Sequence, residues 1–147
     1  LLVDPIGDGK QIPATESHSF LNGLESDYPT MIRQYWTSIV GPNSAVRERL
    51  LGDLGAVTKD TLLQSLRSVM QFDPDPLLAR YQGPIMAVVT PQNDAGFSLH
   101  RLGRGFPHRV VTGTGHWIQL DQPEEFNRLL DEFLSTKSVS GKDKRER

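Results

Sequence analysis

Apolar residues follow two rhythms along this chain, and the switches between them predict its elements. Tyr28, Met31, Ile32, Tyr35, Trp36 and Ile39 stand at i, i+3, i+4, i+7, i+8 and i+11, which is one face of a helix. Gly41-Pro42-Asn43 ends that helix. Ser44 is placed to cap the next, whose face is Val46, Leu50, Leu51 and Leu54, and Gly55 breaks it. Thr58 is placed to cap a third, with Leu62, Leu63, Leu66, Val69 and Met70 on its buried side. An earlier helix runs through Phe20, Leu21 and Leu24.

The second rhythm belongs to strands. Leu1-Leu2-Val3 reads as the end of a buried strand, stopped by the turn residues Asp4-Pro5-Ile6-Gly7-Asp8-Gly9. Leu77 to Tyr81 is a short helical turn after the prolines of the 72–76 stretch. Ile85 to Val89 is continuously apolar, as a parallel strand covered on both faces should be. A loop, Pro91 to Gly96, leads to a short helix over Phe97 to Leu102 and a strand over Arg109 to Val111. The last helix has Pro123 in its first turn, Glu124 and Glu125 at the positive end of its dipole, and Phe126, Leu129, Leu130, Phe133 and Leu134 on its buried face. Residues 136–147, rich in Ser, Gly, Lys and Arg, read as a disordered tail.

Strands alternating with helices predict an α/β fold with three parallel strands and right-handed crossovers. Residues 15–70 are too many for one crossover. They read as a helical insertion over the carboxyl ends of the strands, where α/β folds place their ligands. Residues 1–14 and 71–135 then form the core.

Composition removes several function classes. Hydrophobic residues make up 37% and charged residues 23% of the 147, which is a globular balance. The longest apolar runs are far too short to span a bilayer, so no membrane is expected. A formal net charge of −2, with no basic stripe, gives no pull toward nucleic acid. The absence of cysteine excludes disulfides, zinc-thiolate sites and a cysteine nucleophile, and fits a reducing cytoplasm. No cofactor and no metal site is expected. The chain opens at Leu1 without a methionine or a signal peptide, and the expectation is a piece of a longer protein.

The candidate chemistry lies in Gly113-Thr114-Gly115-His116-Trp117, a glycine-flanked turn between a strand and an amphipathic helix. It presents His116 at the carboxyl end of a strand, facing the cleft. Asp94 follows the preceding strand, in Thr90-Pro91-Gln92-Asn93-Asp94, and a carboxylate there can orient an imidazole. Asp4, after the first strand, is the alternative acid. His18 and His100 have no evident partners, and His108, just before a strand, is expected at the surface.

The segment from Gly113 to Phe126, with its G-x-G-H-W turn followed by Asp121, Pro123, Glu124 and Phe126, resembles the cap-bearing members of the α/β-hydrolase family. The resemblance covers most of the chain. It implies that the three strands are the sixth to eighth of that fold, and that 15–70 is the helical cap. It makes His116 the catalytic base and Asp94 the triad acid, although Pro91 replaces the glycine usual in that loop. Trp117, beside the histidine, is placed to line the pocket or to pack under the last helix, and Tyr35 and Trp36 to wall a substrate cavity from the cap or to pack in its core; the substrate expected is a small molecule, most simply an apolar ester.

The family's nucleophile sits in a G-x-S-x-G elbow. The nearest match, Gly96-Phe97-Ser98-Leu99-His100, lacks the last glycine and falls after the acid, so Ser98 is not expected to serve. The nucleophile and oxyanion donors are then expected upstream, in the N-terminal half of the fold. The chain alone is expected to be inactive and, with Leu1-Leu2-Val3 as a bare sheet edge, poorly stable. A serine at the elbow implies an esterase. An aspartate implies a haloalkane dehalogenase or epoxide hydrolase, and a glycine or alanine there implies a non-catalytic binding module.

Overall fold

The computed structural model describes residues 1–96, 98–103 and 105–142, with side chains as far as Ser135. Its elements are β1 (Leu2–Val3), α1 (Ala14–Ser26), α2 (Tyr28–Ile39), α3 (Ser44–Leu54), α4 (Lys59–Met70), α5 (Asp75–Arg80), β2 (Ala87–Val89), β3 (His108–Val110), α6 (Ile118–Asp121) and α7 (Pro123–Lys142). Short 3-10 turns occupy Gly9–Gln11, Pro91–Asn93 and Leu99–Arg101.

The helices start where side-chain oxygens meet their orphan N–H groups. Asp27 accepts from the Thr30 N–H at the start of α2, and Pro29 fits the first turn, where no N–H is needed. Thr58 caps α4 by accepting from the Thr61 N–H at 3.3 Å. At α3 the cap is Asn43, not Ser44: its Oδ1 accepts from the N–H groups of Ala45 and Val46. Asn and Ser are comparable caps, and the extended backbone at Asn43 leaves Ser44 as the first helical residue. Helix α7 continues to Lys142, beyond the end of the apolar spacing. The remainder of the expected tail, 143–147, lies outside the described residues.

The three strands form one parallel sheet in the order β1-β2-β3. Leu2 stands beside Ala87 and Val3 beside Val88, while Ala87, Val88 and Val89 face His108, Arg109 and Val110. The central strand is wholly buried, which explains its unbroken apolar run. One apolar cluster, Met86, Val88, Val111, Ile118, Leu129 and Phe133, joins the sheet to α6 and α7. A second, Leu24, Ile32, Leu62, Leu63 and Leu66, holds α1, α2 and α4 together, with Tyr35 and Trp36 packed against it. Among the described residues no helix is long and apolar enough to cross a membrane.

Candidate active site

The strand ends bring three side chains together. His116 follows β3, Asp4 follows β1, and Thr90 follows β2 between them. His116 Nδ1 lies 2.8 Å from Asp4 Oδ2. The other carboxylate oxygen, Oδ1, accepts from the Thr90 N–H at 2.8 Å and the Thr90 hydroxyl at 3.0 Å. Asp4 is almost wholly buried, while the imidazole is 38% exposed.

The carboxylate stays charged despite that burial. Burial alone pushes the Asp4 carboxyl up, but hydrogen bonds from His116, the Thr90 N–H and the Asn93 side chain outweigh it. They hold it below its ordinary value of 3.8. An ionised acceptor at Oδ2 puts the proton of a neutral His116 ring on Nδ1. Nε2 is then the basic nitrogen, and it makes no hydrogen bond among the described residues.

The depressed Asp4 value has a sign for stability. The unfolded chain binds the proton more readily, so the network stabilises the fold at neutral pH. That stabilisation is lost as pH falls through the lowered folded value. Urea denaturation from about pH 6 to about pH 2 should show the wild-type midpoint dropping below about pH 4. Asp4→Asn, less stable at neutral pH, should show a shallower drop over the same window. Parallel profiles would mean that the carboxylate carries no such load.

Asp4 also has a backbone φ of +42°, the one positive value among the described non-glycine residues. Aspartate tolerates this left-handed region better than most side chains. The bend turns the chain off β1 so that its carboxylate lies under the neighbouring strand ends. Strain of this kind persists where surrounding contacts hold it, and Thr90, Asn93 and His116 supply them.

The turn that carries His116 is clamped from the helical block. The His116 N–H donates to the Ile39 carbonyl, the last residue of α2, at 2.8 Å. The Gly115 N–H donates to Asp121 Oδ2 at 2.8 Å. Gly115 lies against the backbone of Ile39, Val40 and Gly41 so closely that a Cβ there would fall 2.2 Å from Gly41 N and 2.5 Å from Ile39 O. This is a close approach that only glycine permits. Gly113, at φ +73°, makes the preceding bend.

A cavity of about 400 Å³ opens beside the pair, within the range of small-molecule sites. Asp4, Thr90, Asn93 and His116 give its polar wall; Tyr35, Ile39, Leu66 and Val69 give an apolar one from α2 and α4. Burial pushes the Tyr35 phenol up, so it stays protonated at neutral pH. Another hollow of about 360 Å³ lies between α5 and the loop at 102–106. No described histidine lines it, and Asp75 is the one charged side chain among its described lining residues.

Of the residues singled out in the sequence, His116, Tyr35 and the alternative acid Asp4 share this cavity. Trp117 stands edge-on to the His116 ring at 5.1 Å and 5.9 Å from the Trp36 ring. The two indoles therefore brace the histidine turn against the helical block rather than line the cavity. Asp94 does not meet His116. The 3-10 turn at Pro91–Asn93 swings it back toward the first residue of β3, where it meets His100, Arg101 and His108. The carboxylate on His116 is that of Asp4, the acid placed second on sequence grounds. Ser98 is buried and ties its own loop, accepting from the Ala95 N–H and donating to the Asn93 carbonyl.

Thr90 and Asp121 were not singled out. A threonine closing an otherwise apolar buried strand was the signal for the first. The signal for the second was an acid one turn into the segment after the histidine.

No known family's sequence profile matches the chain. No curated protein matches it either. A solved structure described as Est816, an N-acyl homoserine lactone degrading enzyme, is similar in shape, with a TM-score of 0.62 and 23% sequence identity. The match covers 86% of this chain and 54% of that one, so the chain spans about half the length of its structural neighbour. At that identity the likeness speaks to the fold.

Proposed function

We propose that this chain supplies the acid and base of an α/β-hydrolase-type enzyme that cleaves carboxylic esters or lactones, with α1–α4 as the cap over its cleft. The observation that carries the reading is the bond between buried Asp4 and exposed His116 across adjacent strand ends, with Nε2 left free. A base whose far nitrogen is oriented by a buried carboxylate is the arrangement that activates a hydroxyl nucleophile. The neighbour's described activity on a lactone, a cyclic ester, supports the same bond type.

In this reading His116 Nε2 takes the proton of an attacking hydroxyl and passes it to the leaving alcohol. It then draws a proton from the water that releases the acid. Asp4 remains ionised throughout and stabilises the imidazolium. No hydroxyl among the described residues bonds Nε2, and this reading assigns neither the nucleophile nor the oxyanion donors to any of them. The residues alone should not turn over.

The test is hydrolysis of activated esters and N-acyl lactones by the complete protein. Saturable turnover should fall by about a thousandfold or more in His116→Ala. Turnover that survives the substitution, or none with either ester class, would overturn the proposal.

A further inference from the structure

On the far side of the 90–107 loop from His116, three potential ligands converge. His100 Nε2 lies 3.1 Å from Asp94 Oδ1, and His108 Nε2 lies 3.5 Å from the same oxygen. All three ligand atoms fall within 4.8 Å of one another. The two imidazoles stack with centroids 4.2 Å apart and a 35° tilt, both presenting Nε2 to one side. Ligands bonded at about 2.0–2.15 Å around a tetrahedral cation stand about 3.3–3.5 Å apart. The 3.5 Å from Asp94 to His108 falls in that range, the 3.1 Å to His100 lies just below it, and all three atoms stand within 4.8 Å of one another, so small side-chain shifts would seat an ion.

We propose that Asp94, His100 and His108 form a binding site for a borderline divalent cation of the zinc, cobalt or nickel type. Two imidazoles and one carboxylate are the donor set such ions prefer, whereas magnesium and calcium prefer all-oxygen sites. The three residues are held by separate pieces of backbone: the end of the turn at Pro91–Asn93, the turn at Leu99–Arg101, and the first position of β3.

A second observation points the same way. The His100 side chain is fully buried, yet its Nδ1 has no partner among the described residues. Burying an imidazole with one nitrogen unsatisfied is unfavourable, and a leucine would fill the space without that penalty. The ring is explained by what its Nε2 does. The missing bond at Nδ1 also limits the affinity. Metal-binding histidines gain about 10–100-fold from an outer partner on the second nitrogen, so this site is weaker than a structural zinc centre.

Arg101 bonds the same Asp94 oxygen that a cation would use. Its Nε and Nη2 both donate to Asp94 Oδ1, and together with His100 it holds that carboxyl below its ordinary range. The guanidinium is 44% exposed and can turn out to solvent. The ion and Arg101 therefore compete for one oxygen.

Titration of the purified protein with cobalt(II) chloride, followed by visible d–d absorption, and with zinc chloride by calorimetry tests this. One ion should bind per chain in the wild type. Affinity should fall by about 100-fold or more in His108→Ala, since losing a direct ligand costs at least as much as losing an outer one. It should rise in Arg101→Gln, which removes the competitor, and stay unchanged in His116→Ala. Absence of binding, or binding equal in wild type and His108→Ala, overturns the site. If His108→Ala does not fold, the exposed Arg101→Gln decides, because unchanged or weaker binding there overturns it as well.

Discussion

Under the proposed reading, turnover of esters or lactones should fall by about 10⁴-fold in Asp4→Asn and stay within about twofold of wild type in Asp94→Asn. The argument is geometric. Asp4 holds the proton on Nδ1 of His116, which leaves Nε2 basic. An amide at that position can donate to Nδ1 and trap the ring in the other tautomer, with its proton on the nitrogen that must receive one. Asn keeps the shape and the bonds from Thr90, so the variant folds, though less stably, and the loss of turnover appears in kcat. Asp94 bonds His100 and Arg101 and has no path to the His116 ring. Steady-state kinetics of both variants, with circular dichroism to check the fold, gives the answer. Equal losses, or a larger loss in Asp94→Asn, would return the acid's role to the loop after β2.

Gly115→Ala should destabilise the fold by about 3 kcal/mol and reduce whatever turnover remains by at least about a hundredfold. The new methyl would meet backbone atoms of Ile39, Val40 and Gly41, not the flexible end of a side chain. Neither partner can yield alone: Ile39 ends α2, and the Gly115 N–H is tied to Asp121. Relief must come from lifting the histidine turn off the helical block, which breaks the bond from the His116 N–H to Ile39. A shift of about 1 Å in a base is enough for a hundredfold loss. Gly52→Ala is the control, since nothing lies within 4 Å of a Cβ there and alanine favours the helix. Chemical denaturation of the two variants should separate them clearly; similar midpoints would show that the turn is more yielding than its contacts imply.

The elements were legible because periodicity and capping are local. Tyr28 to Ile39 and the Thr58 cap can be read from neighbours within one turn of helix, and the unbroken run before Thr90 announces a strand covered on both sides. The parallel order followed from the alternation. The acid was not legible in the same way. Both Asp4 and Asp94 follow strands, and which of them reaches His116 depends on loop torsions that leave no periodic trace. At Asp94 the Pro91–Asn93 turn reverses the chain. At Asp4 a left-handed residue redirects it, and Asp-Pro-Ile-Gly looks like ordinary turn chemistry. The meeting of His100 and His108 leaves no trace in the spacing, because it is made by the return of a loop.

The bond between Asp4 and His116 joins positions 112 apart, and the one from Thr90 to Asp4 joins positions 86 apart. Closing a loop of that size has an entropic penalty of about 4 kcal/mol, while helices of this length form in about a microsecond. Helical content should therefore be regained early in refolding and competence late, when the two-residue first strand docks. The same asymmetry holds in reverse. A short strand at the margin of a sheet is among the first segments to open, and when it leaves it takes the carboxylate with it. Mild denaturant then parts the base from its acid while the helices still stand, so the state of the Asp4–His116 pair is a more sensitive gauge of this chain's fold than its helical content.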